Sequence, residues 1–160
     1  MILKYLDWPK IPEELYDDVR RIVANNQDEI AKYTGESYEV YKFYPIDGAL
    51  LEWLKANTPI KFGGHMQCCH LHVMTGRIKM HVDANFERYK CNYIFKLGGN
   101  NVRTDFYDDE ARTTLLESNI VEKFRWHQFD GQVFHEVYNI EPGDARVAIT
   151  IGTDECFTEP

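Results

Sequence analysis

From Met66 onward the chain is a succession of short runs rich in aromatic and β-branched residues, and that succession limits the fold more than any other feature. The runs are Met66–Met74, Ile78–Val82, Tyr89–Leu97, Val102–Tyr107, Val133–Ile140 and Val147–Ile151. Turn signals separate them: Thr75-Gly76, Gly98-Gly99-Asn100-Asn101, Asp130-Gly131 and Glu141-Pro142-Gly143-Asp144. Runs of this length and punctuation read as strands. Many short strands in succession bury their inner faces by stacking as two sheets.

Ahead of them the texture is helical. From Glu13 to Tyr33 the residues Leu15, Val19, Ile22, Val23 and Ile30 recur at helical spacing, and Thr34-Gly35 closes that helix. A second helix is predicted from Gly48 to Ala56, with Asp47 as N-cap and Leu50, Leu51 and Leu54 as its buried stripe. Met1–Pro12, with Trp8-Pro9 and Ile11-Pro12, reads as an extended lead-in. Residues 108–125 are open between a loop and, at Ala111–Glu117, a helical turn. The expected fold class is therefore mainly β with N-terminal helices, one β-sandwich with the helices packed on one face. A chain of 160 residues suits a single domain over 1–160, with a helical part at 12–57 and a β core at about 60–155.

Charge and composition narrow the partners. The formal net charge is −8, and Asp17-Asp18 and Asp108-Asp109 interrupt scattered lysines and arginines. A phosphate backbone demands a basic stripe, so a nucleic-acid substrate is disfavoured. No stretch approaches the ~20 apolar residues of a membrane span, and the start has no leader pattern. Cys68, Cys69, Cys91 and Cys156 form neither a CxxC pair nor a zinc ladder. They read as reduced, mostly buried thiols, and the expected compartment is cytoplasmic.

Three features of the strand-rich part carry chemistry. His81-Val82-Asp83 ends one strand run, and on an extended chain residues two apart share a face. One strand end can thus offer an imidazole and a carboxylate to a single point. His135 lies inside a later run. Two histidines and one carboxylate make the facial triad of non-haem ferrous oxygenases, which leaves positions open for a co-substrate and O2. Arg146 then begins the last run, sharing a face with Ala148 and Thr150. A buried arginine there is costly unless it meets an anion, and its planar fork matches a carboxylate.

In the order His81-x-Asp83, His135, Arg146, the chain resembles the Fe(II)/2-oxoglutarate-dependent dioxygenase superfamily over about residues 66–152. Arg88 to Leu97 with Gly98-Gly99 and Thr104-Asp105-Phe106-Tyr107 looks like the family's third strand and its glycine turn. Met66–Met74 with Thr75-Gly76 looks like the strand before the His-x-Asp strand. Phe129-Asp130 and His135-Glu136-Val137-Tyr138-Asn139 are similar to the distal-histidine segment of prolyl and aspartyl/asparaginyl hydroxylases. The resemblance implies a double-stranded β-helix (jelly roll). It makes His81, Asp83 and His135 the metal ligands and catalytic residues, with Fe(II) as cofactor and 2-oxoglutarate as co-substrate held by Arg146. It implies hydroxylation of a protein or amino-acid side chain, whether peptide or small molecule. Among Cys91, Tyr93 and Phe95, which share a face, Tyr93 is the residue chosen to touch the keto-acid end. Where relatives carry Arg-x-Ser, this chain has Arg146-Val147-Ala148, so that hydroxyl is absent.

Rival readings attach to particular residues. His70 and His72 form a second His-x-His, which suggests a cupin-like metalloenzyme not using 2-oxoglutarate, although no glutamate follows at the needed distance. A metal-free jelly-roll binding module is the other alternative. His70 and His72 are expected to line or flank the pocket, and His65 and His127 to be surface or loop residues. Arg146 could instead pair with Glu141 or Asp144 in the preceding turn. Trp126 and Phe129 read as pocket or core, and Ser118 has no nucleophile context. The loops at 84–88 and 108–127 are expected to border an open substrate groove.

Overall fold

The computed structural model describes residues 1–32, 41–61, 69–83, 87–109 and 111–158. Where the sequence changes texture, the chain changes from helix to strand. Strand β1 (Lys4–Tyr5) and a 3-10 turn (Glu13–Leu15) lead into helices α1 (Tyr16–Asn25) and α2 (Gln27–Lys32). Strand β2 (Tyr41–Pro45) and helix α3 (Gly48–Asn57) follow. The remaining strands are β3 (Cys69–Met74), β4 (Ile78–His81), β5 (Tyr89–Lys96), β6 (Arg103–Tyr107), β7 (Leu115–Asn119), β8 (Trp126–Asp130), β9 (Phe134–Tyr138) and β10 (Arg146–Thr153).

The strands form two antiparallel sheets. The larger runs β1-β8-β5-β10-β3-β2 and the smaller β4-β9-β6-β7. The larger sheet is covered on both faces, and strand alternation divides its residues between the two. Leu71, Val73, Cys91, Tyr93, Trp126, Val147, Ile149 and Ile151 join Val19, Ile22, Leu50 and Leu54 of the helices in one buried cluster. Each such side chain contributes roughly 1.5–3 kcal/mol by leaving water. On the inner face Ile94, Phe129 and Ala148 pack with Phe106 of the small sheet and with Leu3 and Val121. The expected mainly β architecture with helices on one sheet is what the chain adopts.

Several local expectations need correction. The single predicted helix over 13–33 is broken at Asn26, whose side-chain amide donates to the Ile22 carbonyl at 2.8 Å. A side chain that competes for the ladder in this way favours ending the helix. The predicted close at Tyr33 and Thr34-Gly35 lies outside the described residues. Helix α3 forms with Asp47 at its N-cap position, as expected, but the side chain makes no capping bond; its carboxylate pairs with Arg21 at 2.7 Å. Asp18 of α1 accepts instead from the Leu50 amide at 3.0 Å, which ties the two helices together. Residues 115–119 form a strand against β6, where a loop or a helical turn was expected. Strand β3 begins at Cys69; Gly63-Gly64 and Met66 to Cys68 lie outside the described residues. Among the described residues no helix is long and apolar enough to cross a membrane.

Candidate metal centre

The pairing of β4 with β9 sets His81 directly opposite His135. Two residues beyond the strand, Asp83 donates its backbone N–H to the Gly131 carbonyl at 2.8 Å, so the carboxylate is carried back over the pair. Its two oxygens face the two rings. Oδ1 lies 3.3 Å from His81 Nε2 and Oδ2 lies 3.8 Å from His135 Nε2. One ligand atom from each residue can be chosen so that all lie within 4.8 Å of one another. These are the three residues singled out from the sequence, and the fold brings them together.

The histidines are also set in the tautomer a metal needs. His81 Nδ1 lies 2.8 Å from the Lys79 carbonyl and His135 Nδ1 lies 2.8 Å from the Val133 carbonyl. A carbonyl only accepts, so each Nδ1 is the donor, and each Nε2 is the nitrogen on the Asp83 side, open to a metal once it carries no proton. Ligating histidines are commonly oriented by this kind of outer hydrogen bond. The cluster is partly buried, and burial is the largest influence on each pKa. For His81 it is outweighed by the Asp83 hydrogen bond, the Lys79 carbonyl and the Asp83 charge, which raise the pKa. For Asp83 burial pushes up, but His81, the His135 charge and Lys90 together bring the carboxyl below its ordinary value. His135 is more deeply buried, and there burial wins and lowers the pKa. A nitrogen, nitrogen, oxygen set with an ionised carboxylate fits a divalent first-row ion that keeps open positions.

The three residues open on a cavity of about 570 Å³ between the sheets, which Arg146 also lines. Arg146 is 5% exposed, and one guanidinium nitrogen donates to Thr104 Oγ1 at 3.1 Å. Its Nε has no partner, and among the described residues no carboxylate lies in ion-pair range. The rival pairings are not made. Asp144 binds Lys96 at 2.6 Å, and Glu141 accepts from the Asn100 amide at 3.2 Å. Burial alone lowers the Arg146 pKa to about 10. His72 feels the charges of both Arg146 and Asp83 and stacks on Phe43 at 4.3 Å. Burial, and then Arg146, bring its pKa down to about 3. His127 follows the same course to about 3; the nearby Arg125 carbonyl offsets this in part without completing a hydrogen bond.

Other expectations fare differently. Tyr93 does not reach the cavity: it faces the helices, fully buried, with its hydroxyl 3.1 Å from that of Tyr16. Cys91, Tyr93 and Phe95 do share a face, but that face is turned away from the metal side. His127 is neither surface nor loop; it is 1% exposed on β8 and lines the cavity. His70 and His72 line the cavity outside the ligand cluster, as expected. Phe129 lines it too, whereas Trp126 belongs to the helix-side core. Of 108–127 only His127 borders the cavity among the described residues; the open side carries Tyr41 and Phe43 of β2. Residues 84–86 and His65 lie outside the described residues. Sequence reasoning missed Lys90, Asn92 and Thr104, all cavity residues. The signal was polar side chains at alternate positions of strands whose other residues are apolar.

No protein-family model matches this chain, and no curated protein is similar to it at a significant level.

Proposed function

We propose that this chain is a non-haem Fe(II)- and 2-oxoglutarate-dependent oxygenase on a jelly-roll fold. The observation that carries the reading is the pairing, in one cavity, of a two-histidine, one-carboxylate cluster with a buried arginine that has no carboxylate partner among the described residues. The strand order supports the fold name. Strands β3 to β10 divide into two facing sets of four, β8-β5-β10-β3 and β4-β9-β6-β7, as in a double-sheet jelly roll.

His81, Asp83 and His135 would hold the iron. Ferrous iron with 2-oxoglutarate would supply oxygen activation for C–H hydroxylation, coupled to decarboxylation of the co-substrate to succinate. Arg146 binds and orients the distal carboxylate of the dicarboxylate through its free guanidinium edge. The hydroxyl absent at Ala148 is supplied from the opposite sheet by Thr104. His72 through Nε2 and His127 through both ring nitrogens, neutral and unpartnered, offer further hydrogen bonds. Ile78, Val82, Phe129 and Val137 give the cavity apolar walls that exclude water. A cupin-like centre would need His70 or His72 among the ligands, and the cluster forms without them. The free thiols of Cys69, Cys91 and Cys156 support a reducing, cytoplasmic compartment. A protein or amino-acid side chain is the substrate class this reading carries.

The test is spectroscopic. Anaerobic addition of Fe(II) and 2-oxoglutarate is expected to give the weak visible charge-transfer band of the chelate, lost in His135→Ala. A full set of binding isotherms with no such band would overturn the reading.

A further inference from the structure

The cavity holds a second buried cation that the roles above leave unused. Lys90, near the start of β5, is 5% exposed and lines the cavity beside Asn92. Strand alternation puts it there, since Cys91 is packed against the helix-side core and its neighbours must face inward. Among the described residues no carboxylate lies in ion-pair range of the Lys90 ammonium. Its field does reach Asp83 and His135, which places it on the metal side of the cavity.

Such a residue is expensive. A lysine held on an inner strand wall gives up side-chain freedom and part of its hydration, and methionine would fill the same space with no charge to solvate. The charges of the lining residues sharpen the point: Lys90 and Arg146 are the cations and Asp83 the carboxylate. A divalent metal ion and a dicarboxylate co-substrate cancel one another, and Asp83 offsets one of the two cations. One positive charge is left over. Beside it, Asn92 Oδ1 is buried with no partner. At the open side Phe43 is 47% exposed and marks the way in.

We propose that the substrate oxidised here carries an anionic group, a carboxylate or a phosphate, and that Lys90 is the residue that grips it. The inference rests on the oxygenase reading and narrows its substrate class to acidic molecules or acidic peptide side chains. Lys90 acts by holding the anion on the metal side, which fixes which carbon of the substrate faces the ligand cluster.

The test uses the full chain with Fe(II) and 2-oxoglutarate under argon and two pairs of probes. N-acetyl-aspartyl methylamide is set against its asparaginyl counterpart, and N-acetyl-phosphoseryl methylamide against its seryl counterpart. Calorimetry is expected to show an acidic member binding at least about tenfold tighter than its neutral partner, the aspartyl pair for a carboxylate and the phosphoseryl pair for a phosphate. Lys90→Met should erase that preference and leave the charge-transfer band and 2-oxoglutarate affinity unchanged, while Lys90→Arg should keep it. Lys90→Met should also leave the melting temperature of the probe-free protein at or above that of the wild type, since among the described residues the ammonium has no carboxylate partner to lose. Equal affinities within both pairs, a preference that survives Lys90→Met, or a lowered melting temperature with loss of 2-oxoglutarate binding would overturn the assignment. Absence of the band in the wild type would count against the oxygenase reading instead. The same titrations on the iron-free protein would then decide whether Lys90 binds anions.

Discussion

Replacing Gly131 by alanine offers a sharp test of the proposed metal centre, because the change strikes a proposed ligand without touching its chemistry. A Cβ built on Gly131 would sit 2.7 Å from Asp83 Oδ2 and 3.1 Å from the Arg88 carbonyl oxygen. Ordinary contact begins near 3.4 Å, so the Asp83 oxygen must retreat by the difference, roughly 0.7 Å. It cannot do so by moving its backbone, since Asp83 N–H is bonded to the Gly131 carbonyl and Gly131 N–H to the Arg88 carbonyl, both at 2.8 Å. The retreat falls on the carboxylate torsion and carries Oδ2 off the axis it shares with His135. Metal sites tolerate ligand displacements of about 0.2 Å, and disturbing the groups that orient a ligand typically costs 10- to 100-fold in affinity. Gly131→Ala is therefore expected to weaken Fe(II) binding by about 10- to 100-fold, read by anaerobic competition against a chromophoric chelator. The control is Gly143→Ala. Gly143 has φ +80° with nothing within 4 Å of the added atom, so the change costs about 1–2 kcal/mol of backbone strain and leaves the metal alone. Iron binding by Gly131→Ala within a factor of about two of the wild type would refute the reasoning, because the collision is with a proposed ligand.

Further expectations concern the cavity and the thiols. Arg146→Met should weaken 2-oxoglutarate binding by about 10- to 100-fold with iron affinity unchanged, and equal loss of both in calorimetry would make the arginine structural. His72 and His127 are held neutral, with pKa values depressed from 6.5 to about 3. Their contribution to stability is whole above pH 6.5 and is lost as pH falls toward 3, because only the unfolded chain takes up the protons in that window. Each ring should cost about 2 kcal/mol between pH 7 and 5, and urea unfolding of His127→Gln should show about half of the two-ring loss. Cys69 and Cys91, with thiols raised to about 12 by burial, should resist alkylation at pH 8 in the folded protein and react on unfolding.

The convergence of His81, Asp83 and His135 was legible in the sequence because spacing does the work: His81 and Asp83 sit two apart at a strand end, and β9 brings His135 opposite. Arg146 was legible for the same reason, as an arginine opening an apolar strand. Tyr93 was misassigned because alternation says which residues share a face but not which face turns inward. A sheet covered on both sides has apolar residues pointing both ways, so Tyr93 looked no different from a cavity residue until the helices were placed. The polar residues of β5 held the answer: Lys90 and Asn92 would be unreasonable against the helices, and they belong to the cavity. Strand β8 was missed because Trp126-His127-Gln128-Phe129 has a polar pair in its middle, and with it went the placement of His127. Strand β7 carries exposed Leu115 and Leu116 at the rim of the small sheet, where partners in β6 and not periodicity decide the conformation.

Strand β10 alternates between helix-facing Val147, Ile149 and Ile151 and inward-facing Arg146, Ala148 and Thr150, of which Arg146 and Thr150 line the cavity. The two sets are interleaved residue by residue, so they answer differently to different kinds of genetic error. A substitution alters one side and spares the other. An insertion or deletion of a single residue within the strand exchanges the sides beyond that point, sending aliphatic side chains into the cavity and cavity residues against the helices. Point changes along β10 are therefore graded and separable, whereas a change of length there abolishes the fold and the site together.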